Sequence, residues 1–348
     1  MLFNLFKPKS LLGVDIGTAS LKLVELRKDK GRYRLSNYGI LDFGTNTDPN
    51  KRITDEEIAA GLKELVKKLK LSTKETIVSI SSFNTFATVI ELPYLSEKDL
   101  ARAIPFEAKK YIPVPLSEVV FDWSIVNILD VQKAEAGHLP NVEVFIAAVP
   151  KDDAERAQKI VVQAGLKPQA LELENVALIR GLIGNDLSPA AIINIGGRST
   201  SILIVDKGFQ RMGRNYEVGG YEITKAIARS LNVGFEKAEE LKKKEGLKTE
   251  QKALSEATLP LVDMIIFETK KIMTNYENEK KIKISKIIVT GGLTNMPGFM
   301  DYLKQKTGIE VSVGNPFARI VYQDTLKPIE GELATSLSVA VGAAMRLE

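Results

Sequence analysis

Two glycine-containing turns carry residue types that can grip a phosphate chain, and the first of them reads DIGTASLK from Asp15 to Lys22. Gly17 allows backbone conformations that other residues resist. The small residues after it, beginning with Thr18, leave amides and hydroxyls free to approach a phosphate. Asp15 can hold Mg²⁺ through water molecules, because this ion gives up its waters reluctantly, and Lys22 can reach the phosphates as a point charge. A plain β-hairpin can also contain Asp-x-Gly, so this turn alone does not decide between the two interpretations.

The second turn, NIGGRSTS, repeats this arrangement in the other half of the chain. Gly196 and Gly197 lie at its tip, and Ser199 and Thr200 follow them. The same reasoning predicts a second phosphate grip from the opposite side. One strand-turn-strand unit in each half indicates two related halves that face each other across a cleft.

Two further segments have features of a nucleoside site. Gly291, Gly292 and Leu293 come directly after an apolar strand pattern, and a diglycine at such a place lets a flat base lie against the backbone. Glu239 and Lys242 are three residues apart in a helical pattern, so they share one face from which they can hydrogen-bond a ribose. Each feature by itself also fits an ordinary strand-to-helix turn or a surface ion pair.

The elements that must position these residues alternate between strands and helices, which is typical of an α/β protein. In the first half the sequence predicts strands at 11–14, 21–26, 33–43 and 76–81, and helices at 55–69 and 171–181. In the second half it predicts strands at 191–195, 200–205 and 287–290, and a helix at 235–244. Residues 83–165 have a different texture, with three strands and two helices, and we interpret them as a compact α/β insertion.

The composition excludes several classes of function. The chain has 348 residues, enough for two or three domains. It has no cysteine, which excludes disulfides, zinc-thiolate sites and thiol catalysis. Its single histidine, His138, is predicted on a surface loop, which argues against histidine triads and metal clusters. The net charge is 48 − 44 = +4 and no long basic run carries it, so nucleic acid is not an expected partner.

No apolar run approaches the length of about 18 residues that a membrane-spanning helix needs. The opening segment, MLFNLFKPKS, is too short for a secretory signal. We expect this segment to pack on the first strand, with contact to a membrane surface or a partner as the alternative.

Seven segments of the chain resemble, in order, the nucleotide-binding signature of the actin, Hsp70 and FtsA superfamily. They are DIGTASLK, ELENVALIRG, NIGGRSTS, GGYEIT, AEELK, TGGLTNMPGF and SVAVGAAMR. The resemblance implies an actin-like ATPase fold, in which two RNase H-like halves enclose a nucleotide cleft. It also implies ATP and Mg²⁺ as ligands.

The resemblance implies a role for each matching position. The matches to the first phosphate loop are Asp15, Gly17, Thr18 and Lys22, with Asp15 at the metal through water, and those to the second are Asn194, Gly196, Gly197, Ser199 and Thr200. The nucleoside side is matched by Gly219 and Gly220 before a helix, Glu239 and Lys242 on the next helix, and the loop of Gly291, Gly292 and Leu293. Glu174 matches the residue that orients the attacking water, and Ala340 and Gly342 match the small residues where two helices cross.

The chain departs from this pattern at Asn194, where the superfamily usually has aspartate. A neutral amide can hold a metal-bound water but contributes no charge. We therefore expect a slow ATPase at most, with metal binding and hydrolysis more affected than nucleotide binding.

Within the superfamily, the chain is most similar to the PilM family of type IV pilus assembly proteins. The opening MLFNLFKPKSLLGVDIG and the run LPYLSEKDLARAIPFEAKKYIPVPLSEVVFDW carry this resemblance. The insertion lies where FtsA and PilM have subdomain 1C. The implied subdomains are 1A at 1–82 with 166–187, 1C at 83–165, 2A at 188–218 with 285–348, and 2B at 219–284.

The resemblance to the PilM family implies a cytoplasmic protein that is peripheral to the inner membrane and reaches it through a partner. That partner is the N-terminal cytoplasmic tail of PilN, bound in a groove between 1A and 1C, and a link to the secretion motor and self-association are further expectations. The sequence predicts apolar residues at the rim of this groove, drawn from Phe83, Phe86, Ile90, Leu92, Tyr94, Leu95, Ile104, Phe106 and Tyr111. The alternatives are an FtsA-like filament protein and a small-molecule kinase of the same fold. The kinase is disfavoured because no acidic base with a sugar-binding asparagine cluster follows the first turn.

Overall fold

A computed structural model describes residues 10–43, 53–129 and 140–346. The predictions for the first nine residues and for His138 lie outside this range. None of the described helices is long and apolar enough to cross a membrane.

Fourteen strands occur in the described residues, in three sheets. They are β1 (Ser10–Ile16), β2 (Ser20–Asp29), β3 (Arg32–Asp42), β4 (Glu75–Ile80), β5 (Phe86–Pro93), β6 (Val119–Leu129), β7 (Asn141–Pro150), β8 (Lys167–Leu173), β9 (Ala190–Ile195), β10 (Thr200–Asp206), β11 (Phe209–Tyr216), β12 (Lys286–Thr290), β13 (Glu310–Val313) and β14 (Ile320–Val321).

The same residues contain nine α-helices. They are α1 (Asp55–Lys68), α2 (Glu97–Ala108), α3 (Lys151–Gln163), α4 (Glu174–Leu182), α5 (Gly220–Leu231), α6 (Phe235–Lys244), α7 (Lys252–Lys280), α8 (Phe299–Thr307) and α9 (Glu330–Ala344).

Two of the sheets share one topology. The first has the order β14-β3-β2-β1-β4-β8 and the second β11-β10-β9-β12-β13. In each, a hairpin pairs its first strand antiparallel with its second, β1 with β2 and β9 with β10. The first strand also pairs in parallel with a later one, β1 with β4 and β9 with β12. The predicted pair of related halves is therefore confirmed.

The carboxyl ends of parallel strands meet at one edge of each sheet, which is where ligands bind in α/β folds. In the first half β1, β4 and β8 are parallel neighbours, so their last residues lie side by side. In the second half β9 and β12 end together. Both predicted phosphate turns follow such strand ends.

The predicted insertion forms the third sheet, β5-β7-β6, with α2 packed on it. Its core includes Ile90, Ile104 and Val144. Helix α3 instead packs on the first sheet, where Ile160 and Val161 are buried in the core of the first half. We infer that the insertion ends near the end of β7 rather than at residue 165.

One predicted helix starts later in the structure than the sequence indicated. The helix predicted at 171–181 begins at Glu174, and the residues before it complete strand β8. Leu173 pairs with Ile80 of β4, so the sheet takes residues whose local pattern also fits a helix. This shift places Glu174 at the carboxyl end of a strand.

Helix α9 crosses α4 at very close range. A Cβ atom added at Gly342 would overlap the carbonyl oxygen of Ala177, and one added at Gly13 would overlap that of Ala340. Gly342, one of the two small residues predicted at the helix crossing, is therefore required there by the packing of backbone on backbone.

Candidate functional site

The two predicted phosphate turns have the same local geometry. The amide of Gly17 donates to the carbonyl of Ser20 at 3.1 Å, and that of Gly196 to the carbonyl of Ser199 at 2.8 Å. A Cβ atom on Gly197 would lie 2.8 Å from the Cβ of Ala19. The fold thus brings the tips of the turns into contact, as expected for two loops that grip one phosphate chain.

Charge is distributed unequally between the turns. Asp15 lies opposite Lys22 across the first hairpin, and the Lys22 Nζ is 3.1 Å from Asp15 Oδ2 in a largely buried ion pair. In the second hairpin Asn194 lies opposite Ser201, so the equivalent pair is neutral. No group of three or more acidic or histidine side chains within the described residues could hold a metal by itself. Asp15 together with waters and phosphate oxygens fits Mg²⁺, which keeps several of its waters.

Glu174 lies between the two halves. Its Oε1 accepts a hydrogen bond from the amide of Ser82 at 3.1 Å, and the Ser201 hydroxyl is 3.5 Å away. Burial of the carboxyl group, with a smaller contribution from the negative charge of Asp15, raises the pKa of Glu174 to about 7. A carboxyl group with that pKa can accept a proton near neutral pH.

Ser82 and Asn215 extend this site and were not predicted from the sequence. Ser82 begins a short 3₁₀ helix (Ser82–Asn84) that leads from β4 into the insertion. The side-chain amide of Asn215, on β11, donates to the Ser82 carbonyl at 2.7 Å. The Ser82 Oγ and the Asn215 Oδ1 are buried and have no hydrogen-bond partner within the described residues. Buried polar atoms of this kind accept a water or a ligand group.

The turn before α5 supports the second phosphate turn from behind. The amide of Gly220 donates to the carbonyl of Gly196 at 3.0 Å, and a Cβ atom on Gly219 would lie 2.6 Å from the carbonyl oxygen of Gly197. The hydroxyl of Thr200, which is fully buried, donates to the carbonyl of Val218 at 2.6 Å. Gly219, Gly220 and Thr200 therefore fix the conformation of the turn, and the residues at the tip of the turn are the ones that can contact a ligand.

Glu239 and Lys242 form a mostly buried ion pair, with the Lys242 Nζ 2.6 Å from Glu239 Oε2. Lys242 also donates to the carbonyl of Gly220 at 3.1 Å and to the hydroxyl of Thr224 at 2.8 Å. Burial lowers the pKa of Lys242. Burial alone would raise the pKa of Glu239. The positive charge of Lys242, and the hydrogen bonds that Lys242 and Thr224 donate to Glu239, outweigh burial and hold this pKa below its usual value. The pair thus joins α6 to the first turn of α5 beside the second phosphate turn.

The diglycine loop lies beside the end of β9. Gly291 has φ +90°, and a Cβ atom there would overlap the carbonyl oxygen of Ile195. Gly292 is exposed, and an added Cβ would meet no atom within 4 Å. The side chain of Leu293 is buried in the core of the second half, so only its backbone can face a ligand. Open space above Gly292 fits the predicted base position.

A separate cleft of about 120 Å³ lies on the first half, beside the segment that leads into the insertion. Its lining residues come from the ends of β1 and β4, from the 3₁₀ helix and from α3: Ile16, Ser79, Ile80, Ser81, Phe83, Asn84, Asp153, Arg156, Ala157 and Ile160. We call it the insertion cleft. Phe83, Tyr94, Phe106 and Tyr111 of the predicted rim residues are exposed, and Phe83 lines this cleft. Ile90, Leu92 and Ile104 are buried in the core of the insertion instead.

A sequence profile described as type IV pilus assembly protein PilM matches residues 13–348. The chain belongs to the PilM family. A solved structure of a PilM-PilN type IV pilus biogenesis complex has a chain with the same fold, with a TM-score of 0.83 and 22% identity over 98% of this chain and 99% of that one.

Other proteins are similar to this PilM-family chain in sequence or in fold. Cell division protein FtsA of Neisseria meningitidis serogroup B is 24% identical, covering 87% of this chain and 83% of its own length. FtsA of Enterococcus faecalis is 22% identical, with 84% and 76% covered. The structure of MreB5 of Spiroplasma citri bound to AMPPNP superimposes with a TM-score of 0.52 and 12% identity, covering 94% of this chain and 96% of that one.

Proposed function

We propose that this protein is the ATP-binding cytoplasmic component of a type IV pilus assembly platform at the inner membrane. In this proposal it binds the N-terminal tail of PilN and links that tail to the secretion motor. The observation that carries the proposal is that two equivalent turns meet at their tips, while Glu174 lies between the two halves and binds the Ser82 amide, whose next two residues line the insertion cleft. Membership of the PilM family supplies the pilus context.

In this proposal, different residues bind different parts of Mg-ATP. The tips of the two turns would contact the phosphates, Lys22 would neutralise part of their charge, and the exposed backbone at Gly292 would face the base. Asp15 would hold Mg²⁺ through water, and the ion would supply charge stabilisation at the phosphates. Glu174 would orient a water and accept its proton.

The insertion cleft and Glu174 share one structural element. The Ser82 amide, in the 3₁₀ helix, donates a hydrogen bond to Glu174. The other two residues of this helix, Phe83 and Asn84, line the cleft. A peptide bound in the cleft therefore touches the segment that holds the carboxylate. A shift of this segment would change both sites, which provides a coupling between tail binding and the nucleotide.

An extended tail fits the insertion cleft chemically. Its buried lining residues Ile80 and Ile160 are apolar, and its charged lining residues are Asp153 and Arg156, the latter ion-paired with Asp55. The similar solved structure is a complex of PilM with PilN, and the PilN tail is the occupant that we propose here.

Nucleotide binding is the first prediction. Calorimetry with Mg-ATP should show one site per chain, and Gly292→Trp should abolish the binding because its side chain would fill the open space at the base position. Ser36→Trp, at an exposed position on β3, is the matched control and should bind like the wild type. A wild-type protein that binds no nucleotide at millimolar ATP would contradict the proposal.

Tail binding is the second prediction. A synthetic peptide with the sequence of the PilN tail should protect the backbone amides of residues 79–84 from hydrogen exchange. Phe83→Ala should lower the affinity for the peptide by about 30-fold, the loss typical when an aromatic residue at the centre of an interface is truncated. Phe267→Ala removes an even more exposed phenylalanine, on α7, and should have no effect. Protection confined to the second half, or equal affinities for both variants, would rule out this cleft.

A further inference from the structure

The hairpin between β2 and β3 carries a dense positive charge. Residues 27–34 contain five basic side chains and one acidic one, so their net charge is 5 − 1 = +4, equal to the +4 of the whole chain. All five basic residues are exposed: Arg27, Lys28, Lys30, Arg32 and Arg34. Such a local excess of exposed positive charge attracts anions.

The arrangement of the charges opposes folding. Arg27 and Arg34 are directly opposite each other on the two antiparallel strands, a position in which like charges repel. Within the described residues only Asp29 offers compensation inside the hairpin, 3.9 Å from Arg34 and in solvent. A repulsive pair at an exposed position gains nothing for stability, and a negatively charged partner would relieve the repulsion.

The hairpin is closed by a tight turn and has a depression beside it. Lys30 and Gly31 both have positive φ, 49° and 79°, and form the tight two-residue turn that matches strand twist. A shallow depression of about 420 Å³ lies beside it, lined by Asp29, Lys30, Arg32, Arg34 and Val321. The tight turn fixes the backbone from which these basic side chains project.

The location of the hairpin separates it from the nucleotide turns. Both turns are at the carboxyl ends of β1 and β9, whereas the hairpin tip is at the opposite end of β1, where Ser10 pairs with Arg27. The nine residues before Ser10 therefore connect to the chain at this end, and they contain five large apolar residues and two lysines. Basic charge combined with an adjoining apolar segment is the composition that binds anionic lipid surfaces.

We propose that the β2–β3 hairpin is a docking surface for an anionic phospholipid membrane. The basic side chains contact lipid headgroups, and this contact adds to the one made through a protein tail. The hairpin tip and the insertion cleft are at opposite ends of β1, whose seven residues span roughly 20 Å. Six or seven extended residues of a bound tail would cover this distance, so both contacts can be made at the same time.

The test uses the purified full chain and two kinds of vesicle, one of phosphatidylcholine alone and one with two parts phosphatidylcholine to one part phosphatidylglycerol. The wild type should sediment with the anionic vesicles alone, and less so as salt rises. Arg27→Gln/Arg34→Gln should lower the partition coefficient about 30-fold, since each basic residue near such a surface contributes about 1 kcal/mol. Its thermal stability should be equal to or above that of the wild type, because the repulsive pair is gone.

Lys304→Gln/Lys306→Gln is the matched control, since it removes two exposed charges from α8 in the second half. It should bind the anionic vesicles like the wild type. Equal binding by the hairpin variant and the wild type, or no binding to anionic vesicles at all, would overturn the proposal. Hairpin-dependent binding to polyglutamate without binding to vesicles would also overturn it, in favour of an acidic protein partner. None of these results depends on ATP or on a PilN peptide, so failure here leaves the proposed function untouched.

Discussion

Glu174→Gln should lower the rate of ATP hydrolysis by about 10²- to 10⁴-fold, the range that a general base contributes. Affinity for Mg-ATP should remain within a few-fold of the wild type. Glutamine keeps an oxygen that can accept the hydrogen bond from the Ser82 amide, so the position of α4 is preserved. What the variant loses is the ability to accept a proton from water.

The pH dependence distinguishes this role from a structural one. The pKa of Glu174 is raised to about 7, so wild-type hydrolysis should rise with pH through this value, as the carboxylate forms. The residual activity of Glu174→Gln should lack that rise. Glu279→Gln, at an exposed position on α7, is the control and should keep both the rate and the profile of the wild type.

Stability should change in the opposite direction to activity. A carboxyl group whose folded-state pKa lies above its unfolded value of 4.5 favours folding when protonated, and that contribution is lost as the pH rises toward about 7. Glu174→Gln imitates the protonated form. It should therefore unfold at a higher temperature than the wild type above pH 7, and the difference should shrink at lower pH. If Glu174→Gln hydrolysed ATP at the rate of the wild type, Glu174 would be excluded as the base.

The slow turnover expected for the wild type has its origin at Asn194. This residue and Asp15 occupy equivalent places in the two hairpins, opposite Ser201 and Lys22. The second half therefore lacks the carboxylate that the first half has. Electrostatic stabilisation supplies most of phosphoryl-transfer catalysis, so the missing charge at this position should lower the rate of ATP hydrolysis. We therefore expect bound nucleotide to act through the shape of the protein rather than through rapid turnover.

Sequence reasoning found the turns because their signal is local. A glycine at a tight turn and small residues after an apolar strand can be recognised from a few neighbouring positions, and the structure places the two turns together. The family resemblance added the order of the motifs and hence the pairing of the halves. The role of Glu174 was predicted in the same way and stays a prediction, and the helix that carries this residue was predicted to begin three residues too early.

The remaining features depend on contacts between distant segments. Asn215 reaches Ser82 across 133 positions of the chain, and nothing in its local sequence indicates that pairing. Helix α3 falls within the insertion predicted at residues 83–165, yet its apolar face packs on the first sheet. An amphipathic pattern shows that a helix has a buried face, but it does not show which core receives that face.

Substitutions at two glycines of α9 should have opposite consequences, although both lie in one helix. Gly342→Ala should destabilise the protein by at least about 3 kcal/mol, because the new Cβ would overlap the carbonyl oxygen of Ala177 on α4 and backbone cannot yield as a side chain can. Gly331→Ala meets no atom within 4 Å and should stabilise by up to about 1 kcal/mol, since alanine loses less entropy in a helix.

Denaturant unfolding of both variants measures these differences directly. The Gly342 variant has a second expected effect, because the helix that its Cβ would displace begins at Glu174 and is also held to α9 by Arg180, whose Nη1 donates to the Gly342 carbonyl at 2.8 Å. Any part of the protein that still folds should therefore hydrolyse ATP more slowly than the wild type, while the Gly331 variant keeps the normal rate. Equal stabilities for the two variants would show that α4 and α9 can separate at no cost, and the close crossing would then not be what positions Glu174.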